Sequence, residues 1–273
     1  MSRPGFLRIL FTRHRAKLAV AALPLVLAAC SGSVDPAPGE INDPYEPLNR
    51  RLHEGLKRTD RAMLRPASVG YAQSVPRGVQ DSISNFRTNF ATPAYVVNDM
   101  LQMQGEDALV NAYRFLVNTT FGLGGLFDPA AQLGLPARKS DFGGTLHFWR
   151  VPEGAYLSVP IIGPSTERDL AGRIADGFLN PLAYAVPTPE RYVVTGAGVL
   201  DRLGKRGRYA GTVDSLLYDS ADSYAQTRNT YLQNRRYELS GTGAALDPYA
   251  DTTGANATDA DPYTDPYLDP YAE

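Results

Sequence analysis

Between Asp107 and Asn118 the balance of an ordinary surface helix is inverted. At about 100° per residue, Asp107, Asn111, Arg114 and Asn118 share an arc of roughly 60°. Ala108, Leu109, Val110, Ala112, Tyr113, Phe115, Leu116 and Val117 fill an arc of roughly 220° at the same step. A surface helix of a soluble protein has a narrower apolar stripe and a broad polar face. Either this is a central core helix, or its outside faces something apolar such as lipid. Gly122, Gly124 and Gly125 follow it without the Lys-Ser/Thr or the preceding strand of a phosphate-binding loop. They are read as ending the helix and letting two backbones pass closely.

Helical periodicity extends to both sides. The body opens at Asn42-Asp43-Pro44, and a helix is expected from there to about Leu64, where Pro66 should stop it. A second starts near Pro76 and puts Ile83, Phe86 and Phe90 on one face. Thr92-Pro93 reads as a cap and first position for a third helix, through Leu101. Gly105-Glu106-Asp107 opens the fourth, with acids where the helix dipole favours them. A short helical turn is expected at Asp141–Leu146. From Val151 to Pro164 the chain is apolar but full of prolines and glycines, which forbid a long helix and leave a loop or hairpin. Helix resumes behind Ser165, a candidate N-cap, and closes at Asn180-Pro181. Two more are expected over residues 189–203 and 213–237, joined by the basic turn Gly204-Lys205-Arg206-Gly207-Arg208. That turn is either simply solvated or a binder of anionic head groups or acidic partners.

The ends change the picture. Arg3, Arg8, Arg13, Arg15 and Lys17 precede an apolar run from Leu18 to Ala29, too short to span a bilayer comfortably. This is the pattern of a secretory signal. Leu27-Ala28-Ala29-Cys30 is similar to a bacterial lipobox, which implies cleavage before Cys30 and acylation of that residue. Cys30 is the only cysteine, so intrachain disulfides and cysteine metal sites are excluded. The 273 residues hold 27 basic and 29 acidic side chains. Losing the signal removes five basic ones and no acids, leaving 22 against 29. Seven of those acids lie beyond Ser240, in a tail that repeats Asp-Pro-Tyr and reads as disordered. The expected organisation is a signal over 1–29, a lipidated tether over 30–41, a helical domain over 42–240 and the acidic tail over 241–273. The body is balanced in charge and lacks the basic patch that nucleic-acid binding needs.

Catalytic chemistry is nearly absent from the pattern. Outside the signal the histidines are His53 and His147, isolated in sequence. There is no Gly-x-Ser-x-Gly elbow and no His-Glu-x-x-His zinc pattern. No catalytic residue, metal or cofactor is assigned, and an enzyme would need residues brought together by folding. A phospholipid hydrolase on a lipid anchor and a non-transporting envelope scaffold stay open as alternatives.

Several segments in order resemble the VacJ/MlaA family of outer-membrane lipoproteins. They are Asn42-Asp43-Pro44 with Asn49-Arg50; Ser84-Asn85-Phe86; Val97-Asn98-Asp99; Arg114 to Thr120; Gly122 to Asp128; Phe142 to Leu146; and Pro160 to Thr166 with Arg168-Asp169. The resemblance implies an all-α, ring-shaped bundle of amphipathic helices around a central channel, with one Pro/Gly-rich loop or hairpin. It implies removal of misplaced phospholipid from the outer leaflet, beside an outer-membrane porin trimer, and transfer to a periplasmic carrier. Asp107, Asn111, Arg114 and Asn118 then become candidates either to line the channel or to hydrogen-bond internally. Asn85, Phe86, Gly143, Gly144, Gly154, Tyr156, Pro160 and Gly163 become gating candidates, with residues 151–164 as a lid pivoting at Gly154. His147, Trp149-Arg150 and Gly154-Ala155-Tyr156 stand where the family is usually richer in glycine.

Overall fold

The computed structural model describes residues 41–160 and 162–240. The expected signal, the acylation site at Cys30, nearly all of the tether and the Asp-Pro-Tyr tail lie outside the described residues. The chain divides into two compact units, residues 1–233 and 234–273. Of the second, only the end of a helix is described, where Asn234 donates to Glu238 at 2.9 Å. Among the described residues the first is helical with one small hairpin.

Helix α1 spans Glu46–Thr59, with proline in its first turn. Pro66 does not stop the chain there. A π turn, Asp60–Leu64, carries it into α2, Arg65–Ser74. The Arg65 amide reaches back to the Asp60 carbonyl, so the ladder is re-registered before the proline. Pro66 then sits in the first turn of a new helix, where its missing N–H costs nothing. Helix α3 follows Pro76 as expected, but it runs unbroken from Arg77 to Leu101. Thr92 opens no third helix: its hydroxyl donates back to the Thr88 carbonyl at 2.9 Å. An internal proline costs about 3 kcal/mol. The packing of α3 along the helices described next offsets it.

Helix α4 spans Gly105–Thr120, with Glu106 and Asp107 in its first turn. The glycines beyond it work as read. Gly124 and Gly125 have φ of 73° and 94°. A Cβ on Gly122 would lie 2.5 Å from the carbonyl oxygens of Asn118 and Phe127. Asp128 caps the short α5, Pro129–Gln132, and Asp141 caps α6, Phe142–Phe148.

Strands β1 (Tyr156–Val159) and β2 (Gly163–Thr166) pair antiparallel, with Tyr156 opposite Thr166. This resolves the apolar breaker-rich stretch as a hairpin. Ser165 lies inside β2, and the residue that caps α7 (Glu167–Leu179) is Thr166, which accepts from the Asp169 amide at 3.2 Å. After α8 (Leu182–Ala185), helix α9 runs from Thr188 to Arg208. The basic turn is therefore the last turn of α9. The final expected helix is broken. It consists of α10 (Ala210–Asp214), a second π turn (Ser215–Asp219) and α11 (Ser223–Leu239). Asp222 makes the break by accepting from the Ala225 amide at 3.0 Å, a cap interior to the expected span. The small aromatic core, Tyr156, Tyr224 and Leu232 with Ile41 and Tyr231 against it, ties the hairpin to α11.

Candidate functional site

Burial in this fold runs against the usual order. Among the described residues most of the buried apolar ones are alanines, including Ala94, Ala108, Ala130 and Ala171. Asparagine, aspartate and arginine fill the space beside them. On α4 the contrast is direct. Asn111, Arg114 and Asn118 are 2%, 5% and 6% exposed, whereas Leu109, Tyr113 and Leu116 are 73%, 57% and 58% exposed. The helix turns its polar stripe inward and its broad apolar face outward.

The stripe is an internal network. Asp107 pairs with Arg138 at 2.6 Å. Asn111 donates to the Asp99 carboxylate at 2.7 Å and to the Arg138 carbonyl at 2.8 Å. Arg114 holds both oxygens of Asp128, at 3.0 and 2.8 Å, and donates to the Leu135 carbonyl. Asn118 donates to Asp128 at 2.9 Å and accepts from the Ala130 amide at 3.0 Å. Of the two readings of this stripe, the contacts are those of internal hydrogen bonding rather than of an open wall. Burial pushes the Asp128 carboxyl up, but Asn118 and Arg114 together outweigh it and hold its pKa below the ordinary value. At Asp99 burial wins over its hydrogen bonds, and the pKa is raised.

A second network joins the end of α3 to α6 and α7. Asn98 donates to Asp176 at 2.8 Å and accepts from the Thr145 hydroxyl at 3.0 Å. Gln102 donates to Thr145 and to Ser140, each at 2.9 Å. Sequence reasoning did not single out Asn98, Gln102, Thr145 or Asp176 as a set. The available signal was the crowd of amides and small polar residues on helices otherwise rich in apolar ones.

The gating candidates fall in different places. Asn85 and Phe86 are half-buried in mid-α3. Gly143 and Gly144 form no free joint: both lie in α6, with the Gly144 amide donating to Asp141 at 2.7 Å. A Cβ on Gly172 of α7 would come within 2.3 Å of the Gly143 nitrogen, so the two helices cross backbone to backbone. Gly154 is likewise held rather than free. Its φ is +74°, and a Cβ there would meet Glu167 Oε2 at 2.6 Å. Tyr156 is 1% exposed and packs in the small aromatic core. Burial pushes its hydroxyl pKa up to about 12. Asn49 pins β1 by donating to the Tyr156 carbonyl at 2.9 Å and accepting from the Ser158 amide at 3.0 Å. Pro160 is exposed, and Gly163, buried with φ +93°, has open space where a Cβ would stand.

Folding does bring one histidine to a hydroxyl. His53 Nε2 lies 3.0 Å from Ser223 Oγ, and Lys57 also donates to that hydroxyl at 3.3 Å. His53 and Ser223 are 2% and 5% exposed, so no substrate carbonyl reaches the pair. Burial lowers the His53 pKa, which keeps the ring neutral inside. Among the described residues no helix is long and apolar enough to cross a membrane.

Residues 41–238 match the family model described as MlaA lipoprotein. The chain belongs to that family. A curated MlaA relative from Escherichia coli (strain K12), named "Intermembrane phospholipid transport system lipoprotein MlaA", is 31% identical over 85% of this chain and 92% of its own length. The Haemophilus influenzae protein of the same name is 29% identical over 79% of this chain and 86% of its own. An uncharacterized protein of Rickettsia felis is 39% identical over 53% of this chain, and the match spans only 58% of that relative's length. A solved structure titled "Structural basis for maintenance of bacterial outer membrane lipid asymmetry" aligns with TM-score 0.64 and 31% identity. It covers 72% of this chain and 98% of that one. The mostly helical fold expected from the periodicity is thus shared with an MlaA-family relative.

Proposed function

We propose that this chain is a lipoprotein anchored through Cys30 in the outer membrane, which takes mislocalised phospholipid from the outer leaflet and hands it to a periplasmic carrier. A porin trimer is the proposed neighbour, and no nucleic acid, metal or cofactor takes part. The observation that carries the reading is the inversion on α4: exposed leucine and tyrosine outside, asparagine and arginine inside. Each large apolar side chain moved from water into hydrocarbon contributes about 1.5–3 kcal/mol. A wall of them is costly in water and favourable against lipid. The relatives named for intermembrane phospholipid transport supply the cargo class.

In this reading the polar stripe of α4 braces the wall, and the lining of the lipid path comes from other residues. Movement belongs to the hairpin tip around Pro160 and Gly163 and to the Asn85-Phe86 turn of α3. The hairpin base is a fixed strut, because Asn49 and Glu167 hold it. The test is outer-leaflet phospholipid, quantified in cells with and without the gene. Accumulation on deletion, reversed by the intact gene, is expected. Unchanged asymmetry would sink the proposal, and fatty acid released from labelled phospholipid by the purified protein would replace it with a hydrolase.

A further inference from the structure

Helix α1 carries a surface that the α4 wall does not explain. With Leu48 set at zero and about 100° per residue, Leu52 and Leu56 fall at roughly 40° and 80°. Asn49 and His53, the buried contacts of the helix, fall at roughly 100° and 140°. Arg51, Glu54 and Arg58 gather between roughly 240° and 300°. The helix thus has three sectors: one buried, one cationic and, between them on the outer side, one apolar. Leu48 is 54% exposed. Both outer sectors continue into the π turn, with Met63 67% exposed and Arg61 also at the surface.

Among the described residues the charge on this face is not spent inside the protein. Glu46 and Asp222 are taken by Arg50, Asp214 by Arg65 and Arg206, and Glu54 by Lys57. Arg51, Arg58 and Arg61 have no carboxylate partner among the described residues. Arg58 Nε bonds only the Glu54 carbonyl of its own helix, at 3.3 Å, and the Arg61 guanidinium lies 4.5 Å from the Tyr218 ring centre. The basic residues at the end of α9 are the contrast. Lys205, Arg206 and Arg208 are all paired, with Asp201, Asp60 and Asp81.

We propose that α1 lies along the membrane surface as an amphipathic interfacial helix, with Leu48, Leu52 and Met63 in the acyl layer and Arg51, Arg58 and Arg61 on the phosphates of anionic phospholipids. An apolar sector beside a net cationic one is the pairing that binds anionic bilayers from the side. An acyl layer alone would satisfy the leucines and leave three guanidinium groups without anions. The proposal rests on the membrane-protein reading above, and α1 is the first helix among the described residues. It adds a preference for anionic lipid that the α4 wall does not imply.

The test uses the whole mature chain with Cys30→Ser, so that no acyl anchor masks partitioning, and measures co-sedimentation with vesicles. One set is phosphatidylcholine alone, the other phosphatidylcholine with phosphatidylglycerol. Each arginine near an anionic surface contributes about fivefold, so Arg51→Gln/Arg58→Gln/Arg61→Gln should weaken binding to the anionic vesicles on the order of a hundredfold. Binding to the neutral vesicles should not change. Replacing the same three by lysine should keep the anionic preference. A control at exposed Arg77, Arg173 and Arg202 should change far less, and circular dichroism should give the same helix content throughout. Equal binding of the wild type to both vesicle types would overturn the proposal. So would a control triple that loses as much as the α1 triple, since that is a net-charge effect. Outer-leaflet phospholipid plays no part in this assay, so failure of the transport reading would be seen separately.

Discussion

Replacing Asp128 by alanine removes one side chain and, with it, four hydrogen bonds from three donors. Arg114 loses a bidentate partner at 3.0 and 2.8 Å, Asn118 a bond at 2.9 Å, and the Ala131 amide its cap at 3.1 Å. The Arg114 side chain is 7% exposed, so its charge is left largely without water, with only the Leu135 carbonyl remaining. Breaking a buried ion pair from one side costs about 3–5 kcal/mol. Asp128 itself is 27% exposed, and water entering from that side moves the expectation to the low end, about 3 kcal/mol. For a body of this size 1 kcal/mol shifts the midpoint by about 2–4 °C, so thermal unfolding in detergent should fall by about 6–12 °C. The double variant Arg114→Met/Asp128→Leu removes both charges and should recover most of the loss. A single variant that melts within about 2 °C of wild type would refute the argument, since a drop that small is under 1 kcal/mol. A double variant no better than the single would show that the loss comes from shape and capping rather than from a stranded charge.

The other predictions are more local. Cys30→Ala should leave the precursor uncleaved and lower outer-membrane function; normal fractionation and normal lipid asymmetry would count against it. A Cβ on Gly207 would come within 2.3 Å of the Ser68 carbonyl, so Gly207→Val should push α2 off α9 and cost several degrees in Tm, whereas Gly70→Ala, with open space, should not. Gly154→Val forces a β-branched residue to φ +74° against Glu167, so it should lower thermal stability and hairpin protection in hydrogen exchange; full stability with slowed lipid transfer would restore Gly154 as a pivot. On pH, Asp128 has a folded pKa below its ordinary 3.8, so its contribution is complete above 3.8 and is lost as pH falls through the lower folded value. Acid melts of wild type and Asp128→Asn should therefore converge below 3.8 and separate above it, and a constant gap would remove the carboxylate from the account.

Local pattern carried the sequence a long way. The inverted polarity of residues 107–118, the start at Gly105, the close passage at Gly122 and the stop at Asn180-Pro181 all depend on neighbours within a turn or two, so periodicity and capping chemistry expose them. The errors came where distant packing overrules a local breaker. Thr92-Pro93 and Pro66 look like boundaries, yet α3 runs through the first because helices on both sides hold it, and a π turn absorbs the second. Ser165 and Thr166 are equally good caps in isolation, and strand pairing across Tyr156 decided between them. The polar stripe was visible, but its partners were not. Arg138 lies 31 residues from Asp107, and the Asn98–Asp176 bond spans 78. The three-sector pattern of α1 can be counted from its sequence, whereas its free charge cannot. Which arginines are spent inside depends on acids such as Asp214 and Asp222, which reach α1 and α2 only after the chain has turned back on itself. Periodicity records which side of a helix differs from the other. Only folding determines what each side meets, because the partners are brought together by loop closure over separations that no local rule spans.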